Sequence, residues 1–237
     1  MNINKIKEKA RKKLKGSYKV AIAAILIYGL IEFAFYGVSK LIYNDNMYII
    51  FSVLITGLFY EGLLQIFIEI SKGKKAKIKE LFDRTDLFWK ASAVTIIITM
   101  FSLICIVLEN IASKSLLTFI VNEANINIVL STVMIIFGLL LCTAIATFYI
   151  ILMVSFSQVY YILYENETMP VLDIFSKSMD LMEEYKIDYI MLNLSFIGWM
   201  LLGIPTFGLI YIWLIPYMKI SITNFYYEVK KREKKNS

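Results

Sequence analysis

Residues 189–227 read YIMLNLSFIGWMLLGIPTFGLIYIWLIPYMKISITNFYY and contain one charged side chain, Lys219. Gly203-Ile204-Pro205-Thr206-Phe207-Gly208 breaks the run near its middle. Glycine and proline at that spacing end helices and favour a turn. The stretch therefore predicts two apolar helices folded into a hairpin. Each arm is close to the length of about 20 apolar residues that crosses a hydrocarbon core as helix.

The rest of the chain carries the same signal. Of its 237 residues, 59% are hydrophobic, and the mean hydropathy is +0.66. Soluble domains hold roughly 45–50% apolar residues, so this excess calls for a solvent other than water. Apolar runs at Val20–Tyr43, Met47–Ile70, Ala91–Leu108 and Ile128–Met153 precede the two in Tyr189–Tyr227. The first is too long for a signal-peptide core and has no small-residue cleavage site after it, which marks it as a retained helix. The fold class expected is all-α: a polytopic membrane helix bundle of six transmembrane helices, with amphipathic helices at the cytoplasmic interface.

The fourth run needs an argument of its own. Ile126–Tyr164 has no charge over 39 residues, and as one helix it would be about 58 Å long against a core of about 30 Å. Two short spans would solve this, as would one span with an interfacial extension. Charge decides between them. The tail Glu228–Ser237 holds five Lys/Arg and the N-terminal Met1–Lys19 holds eight. Both belong on the cytoplasmic side, which requires an even number of spans. One span over Ile128–Met153 gives six, with Ser155, Ser157, Gln158, Tyr160, Tyr161 and Tyr164 at the interface.

On this threading 22 of the 25 Lys/Arg are cytoplasmic, while Lys40 and Lys114 lie at the external loops Tyr43–Asn46 and Glu109–Asn127. The domains expected are a basic amphipathic segment 1–19, a membrane domain 20–227 and a basic cytoplasmic tail 228–237. In the first segment Ile3, Ile6, Ala10 and Leu14 recur at helical spacing, as in a helix lying on the headgroups. A solvated basic tail is the alternative. Ile78, Leu81 and Phe82 mark a second short interfacial helix. A third is marked by Val171, Leu172, Phe175, Met179 and Met182, with Thr168 as cap and Pro170 in the first turn.

The net charge of +6 sits beside apolar runs. It points to the lipid bilayer and its anionic headgroups as partners, and away from nucleic acid. The chain has no His, so neither a Ser-His-Asp triad nor an HExxH zinc site can form. Cys105 and Cys142 stand alone in apolar runs. No catalytic, cofactor-binding or metal-binding residue is expected, and no cofactor.

What remains is polar groups at membrane depth, which are functional candidates by default. Glu32 lies about 18 Å along its helix from Val20, Glu61 about 13 Å from Ile70, and Lys219 about 12–15 Å from the charges of the tail. All three fit one layer. Gln65 sits one turn below Glu61, and Glu69 continues that stripe. Glu32, Glu61, Gln65 and Lys219 are therefore the candidate intramembrane polar cluster. It would line a proton or cation path, or else form an interhelical ion pair that fixes packing. Gly138, Cys142 and Ala146 form a small-residue stripe suited to close helix packing, within the monomer or in a homo-oligomer; a homo-oligomer or a membrane-protein partner is the protein association expected.

Three stretches resemble a known family. Leu194–Val229 looks like the C-terminal signature of the bacterial integral-membrane family named domain of unknown function 975. Lys9–Ile22, around Leu14-Lys15-Gly16-Ser17-Tyr18, resembles its opening pattern. The Lys72-Gly73 turn leading to Glu80-Leu81-Phe82 is a third match. Two departures stand out: Phe148-Tyr149 occupies the place of a frequent Pro-Gly pair, and Leu181-Met182-Glu183-Glu184 replaces a Met-Met-Lys-Gly. The resemblance implies an uncharacterised multi-span protein of the cell membrane and brings no activity with it. The functional expectation is a non-enzymatic scaffold, envelope-homeostasis or regulatory role, and the alternative is a small transporter or permease.

Overall fold

The computed structural model of the chain describes residues 1–41, 45–122 and 128–236. Among them the protein is all-helical. Eleven α-helices follow one another: α1 Ile3–Leu14, α2 Tyr18–Leu41, α3 Asp45–Ile55, α4 Glu61–Lys72, α5 Phe88–Asn122, α6 Ile128–Ser155, α7 Val159–Glu165, α8 Val171–Met182, α9 Lys186–Leu194, α10 Ile197–Leu201 and α11 Tyr211–Asn236. A π turn, Thr56–Tyr60, joins α3 to α4, and 3-10 turns at Ile78–Phe82 and Thr85–Leu87 lead into α5.

Among the described residues four helical stretches are long and apolar enough to cross a membrane: Tyr18–Leu41, Ile50–Lys72, Ile78–Ile120 and Ser131–Glu165. Their far halves expose large apolar side chains, among them Leu30, Phe33, Ile104, Phe137 and Leu140. An apolar surface of that extent marks contact with lipid or a partner rather than with water.

The other end of the molecule is packed. Helix α4 is its centre, with Leu63, Leu64, Ile66, Phe67, Ile68 and Ile70 all buried, and it touches α1, α2, α7, α11 and the 78–82 turn. Gly62 explains how close the turn comes. A Cβ there would meet the Leu81 carbonyl oxygen at 2.2 Å and the Glu80 carbonyl oxygen at 2.7 Å. Asn2 caps α1 by accepting from the Lys5 backbone N–H at 3.0 Å. The expected stripe Ile6, Ala10, Leu14 is buried against this core, so much of α1's apolar face meets protein rather than headgroups.

Several expectations need correcting. The expected loop Glu109–Asn127 is helix over its described part, since α5 continues unbroken to Asn122. At 35 residues it is about 52 Å long. No Gly or Pro interrupts it, and its polar side chains fold back on their own helix, Asn110 donating to the Ile106 carbonyl at 2.8 Å. Residues 123–127, and 42–44 of the short polar turn, lie outside the described residues. The long helix of the fourth run ends at Ser155, just past the expected span end at Met153. The Ser155, Gln158 and Tyr161 side chains assigned to the interface are nevertheless buried. Ser178 of α8 donates to the Ser155 carbonyl at 2.7 Å, satisfying an acceptor at the helix end.

Helix α8 buries Ile174, Phe175, Ser178, Leu181 and Met182 and turns Leu172 and Met179 outward, a rotation from the face read in sequence. Its N-terminus carries no side-chain cap bond, so Thr168 does not cap it. The segment 78–82 is a single 3-10 turn in which only Leu81 is buried. The arms of the C-terminal hairpin differ from the expected fifth and sixth spans. The first arm is α9 and α10, nine and five residues, broken at Ser195–Phe196. The second is the apolar start of α11, which runs on through the basic tail to Asn236.

Candidate functional site

The four candidate polar residues lie where α2, α4 and α11 meet the packed end, but they do not form one cluster of charges. Lys219, on α11, donates to the Tyr60 hydroxyl at 3.3 Å, with its ammonium 5.2 Å from the centre of that ring. Glu32, on α2, accepts from the Tyr28 hydroxyl one turn below it at 3.2 Å. The Tyr28 and Tyr60 rings meet edge to face at 6.4 Å. Among the described residues no ion pair joins Glu32 or Glu61 to Lys219. The two ends are linked through tyrosine rings.

Tyr60 is the residue the sequence reading missed. It closes the π turn, where the extra residue rotates the helix and re-aims its side chains. Its ring also lies 4.6 Å from Tyr160 of α7, whose hydroxyl is 2.8 Å from the Thr95 hydroxyl on α5. Thr95 in turn donates to the Ala91 carbonyl at 2.8 Å. A polar aromatic layer thus ties together α2, the π turn, α5, α7 and α11. A π turn leaves no mark in single-sequence periodicity; of the three tyrosines only Tyr160 stands out in the sequence, as an interfacial ring.

Glu61 follows Tyr60 and faces another way. It is 0% exposed, and both carboxyl oxygens lack a hydrogen-bond partner, as does the Gln65 amide oxygen one turn on. The fixed charges that act on it most are Arg84 and Asp86, in the segment between α4 and α5. Arg84 is held on three sides. It pairs with Glu167 at 2.6 Å and Asp86 at 3.7 Å, and lies 4.9 Å from the centre of the Tyr164 ring.

Further latches close the packed end. Lys90 donates to the carbonyls of Glu167 and, at 3.1 Å, Met169. Glu165 accepts from both Tyr226 and Lys230. Ser71 donates to Asn224 at 2.7 Å. Two lysine- or arginine-bearing segments, 72–90 and 228–236, are thereby pinned to the acidic loop at 165–170. The opposite signs were legible in sequence, but the pairing was not.

The small-residue stripe seats α6 against α5 at one point: a Cβ on Gly138 would lie 2.6 Å from Leu116 Cδ1. An apolar groove of about 510 Å³ lies beside it, lined in part by Leu108, Ala112, Phe119, Met134 and Leu141. None of the four candidate polar residues lines that groove. Among the described residues no group of three or more His, Cys, Asp or Glu side chains is placed to hold a metal ion.

Together these features define an all-helical, membrane-associated protein with exposed apolar helices at one end and a charge-latched helical collar at the other. The chain belongs to the family described as "Protein of unknown function (DUF975)", whose model matches residues 1–233. No curated protein and no solved structure matches it.

Proposed function

We propose that the protein is a multi-pass protein of the cell membrane with both termini cytoplasmic, and that it works without catalysis as a scaffold or regulator of the envelope. The observation that carries this reading is the collar. α4 buries nine of its 12 residues, and the loops around it are pinned by Arg84–Glu167, Lys90 and Glu165. Such a body offers a fixed platform at the membrane surface. The bias of Lys and Arg to the segments that build it supports placing it on the cytoplasmic side. Four long helices satisfy the even parity this demands, and the hairpin Tyr189–Tyr227 adds either two crossings or none. Exposed Lys5, Lys9 and Lys12 on α1, with Lys15 just past its end, suit anionic headgroups as a partner.

A small transporter is the second reading. Glu61 favours it: a fully buried carboxyl beside a π turn, with neither oxygen hydrogen-bonded, is a place where a proton or cation could be held. Purified protein in liposomes loaded with a pH-sensitive dye separates the two. The scaffold reading predicts proton and cation leak equal to that of empty liposomes. A flux that Glu61→Gln abolishes would overturn it in favour of transport.

A further inference from the structure

On that threading, we infer that the C-terminal hairpin does not cross the membrane. It enters the cytoplasmic leaflet as a half-depth wedge, with the acyl chains of that leaflet as its partner and its tip at Ile204–Leu209 near the bilayer midplane.

The rungs of the hairpin give its depth. Its two arms pair at Tyr189–Phe225 (5.3 Å between ring centres), Phe196–Tyr217 (5.3 Å) and Trp199–Trp213 (5.5 Å). The cations of α1 reach the middle rung. Lys7 donates to the Ser195 carbonyl at 3.1 Å and to its hydroxyl at 3.0 Å, with its ammonium 4.3 Å from the centre of the Phe196 ring. The Arg11 guanidinium lies 5.8 Å from the centre of the Tyr217 ring. Ammonium and guanidinium groups cost at least a few kcal/mol inside the core and settle at headgroup level instead. The middle rung is therefore at the membrane surface. From it, each arm climbs about six residues to the turn, so the tip stands roughly 10–15 Å away. The hydrocarbon core is about 30 Å thick, twice that height. Helix α5 shows the contrast, with about 36 Å of helix separating Lys90 from Lys114.

The tip is built for a dry solvent. Phe207 is 95% exposed, Ile204 77% and Leu209 68%, yet its backbone groups are bonded almost without a gap. Gly203 N–H donates to Met200 O (2.9 Å), Thr206 to Leu202 O (3.3 Å), Phe207 to Ile204 O (3.3 Å), Gly208 to Gly203 O (2.8 Å), Leu209 to Thr206 O (3.0 Å) and Tyr211 to Gly208 O (3.0 Å). Pro205 has no N–H to satisfy. The Thr206 hydroxyl returns to Leu202 O at 2.6 Å, and the Tyr211 hydroxyl crosses the hairpin to Met200 O at 2.8 Å. Water would satisfy an exposed turn without such closure, whereas hydrocarbon demands it. The glycines make it feasible: a Cβ on Gly203 would meet the Tyr211 hydroxyl at 2.3 Å, and Gly208 turns the chain at φ +82.

Single cysteines test the wedge in a Cys105→Ala, Cys142→Ala background. Lys114→Cys serves as the external control, Lys234→Cys as the cytoplasmic one, and Phe207→Cys reports the tip. A membrane-impermeant maleimide should label Lys114→Cys in intact cells, Lys234→Cys only after permeabilisation, and Phe207→Cys in neither case. A fluorophore attached to Phe207→Cys with a permeant reagent, in vesicles, should then lose emission strongly to lipids brominated at mid-chain and little to a headgroup-level quencher. External labelling of Phe207→Cys would show a crossing and overturn the wedge. Labelling only after permeabilisation would place the tip in water, and an unquenched fluorophore would mean that a protein partner or second copy covers it; either result also overturns it. If the Lys114→Cys control is silent from outside, the threading itself has failed, separately from the wedge.

Discussion

Lys219 places its ammonium 3.3 Å from the Tyr60 hydroxyl, so the lone cation of the C-terminal apolar run is held by an aromatic side chain of the π turn instead of by a carboxylate. The hydroxyl oxygen accepts a hydrogen bond from the ammonium, and the ring lies within cation–π distance. A neutral partner of this kind satisfies part of the charge without burying a second one.

Removing that partner should therefore matter more than removing the charge. Tyr60→Phe leaves a half-buried ammonium without its acceptor and should destabilise the protein by about 1.5–3 kcal/mol. Lys219→Met should cost less, and Lys219→Met added to Tyr60→Phe should recover part of the loss. Thermal unfolding of the four proteins in one detergent gives the cycle. Equal and additive losses would mean the pair is not coupled.

Arg84 should be the most sensitive charge of the collar. Arg84→Ala removes the pair with Glu167, the contact with Tyr164 and the principal cation near buried Glu61. The expected loss is about 1–3 kcal/mol, since Glu167 and Asp86 are both more than half exposed, with faster tryptic cleavage at Lys77 and Lys79. Arg84→Lys should not substitute well, because an ammonium lacks the planar fork that pairs and stacks at once.

The glycines should rank by what their Cβ would strike. Gly62→Ala meets backbone at 2.2 Å, Gly57→Ala meets the Ser92 hydroxyl at 2.1 Å, and nothing lies within 4 Å of Gly29 or Gly37. Gly62→Ala should fold poorly or not at all. Gly57→Ala should be milder and improve when Ser92→Gly is added. Gly29→Ala and Gly37→Ala should leave the melting temperature unchanged or raise it, since alanine favours helix by up to about 1 kcal/mol. Expression level and thermal unfolding check the order.

The buried stripe of α1 should be structural. Leu14→Ala opens a cavity at a fully buried position and should cost about 2–5 kcal/mol. Lys9→Glu and Lys12→Glu on its exposed side should leave stability nearly unchanged while weakening association with vesicles rich in anionic lipid. A sedimentation assay at low and high salt would show the difference shrinking as salt rises.

Much of this architecture was legible in the residues. The apolar runs located the long helices, the Ile6–Ala10–Leu14 spacing located the buried face of α1, and the Gly203–Gly208 break located the hairpin turn. Depth and direction were not legible. Apolar composition says that the hairpin prefers lipid, but the height of its arms follows from where Lys7 and Arg11 land on Phe196 and Tyr217. Glu109, Asn110 and Lys114 suggested a loop, yet polar side chains without Gly or Pro do not end a helix. Glu32, Glu61 and Lys219 matched in height along their helices, but rise per residue carries no information about direction around the axis. The π turn then aims Tyr60, not Glu61, at Lys219.

The threading with both termini cytoplasmic underlies the proposed function and the wedge, and a reporter fused after Ser237 tests it most directly. A fusion that is active only in the cytoplasm, with its counterpart active only outside remaining silent, is the predicted result. Activity of the external reporter at that position would require an odd number of crossings or an inverted threading, and either would contradict the collar at the inner face and the wedge it supports.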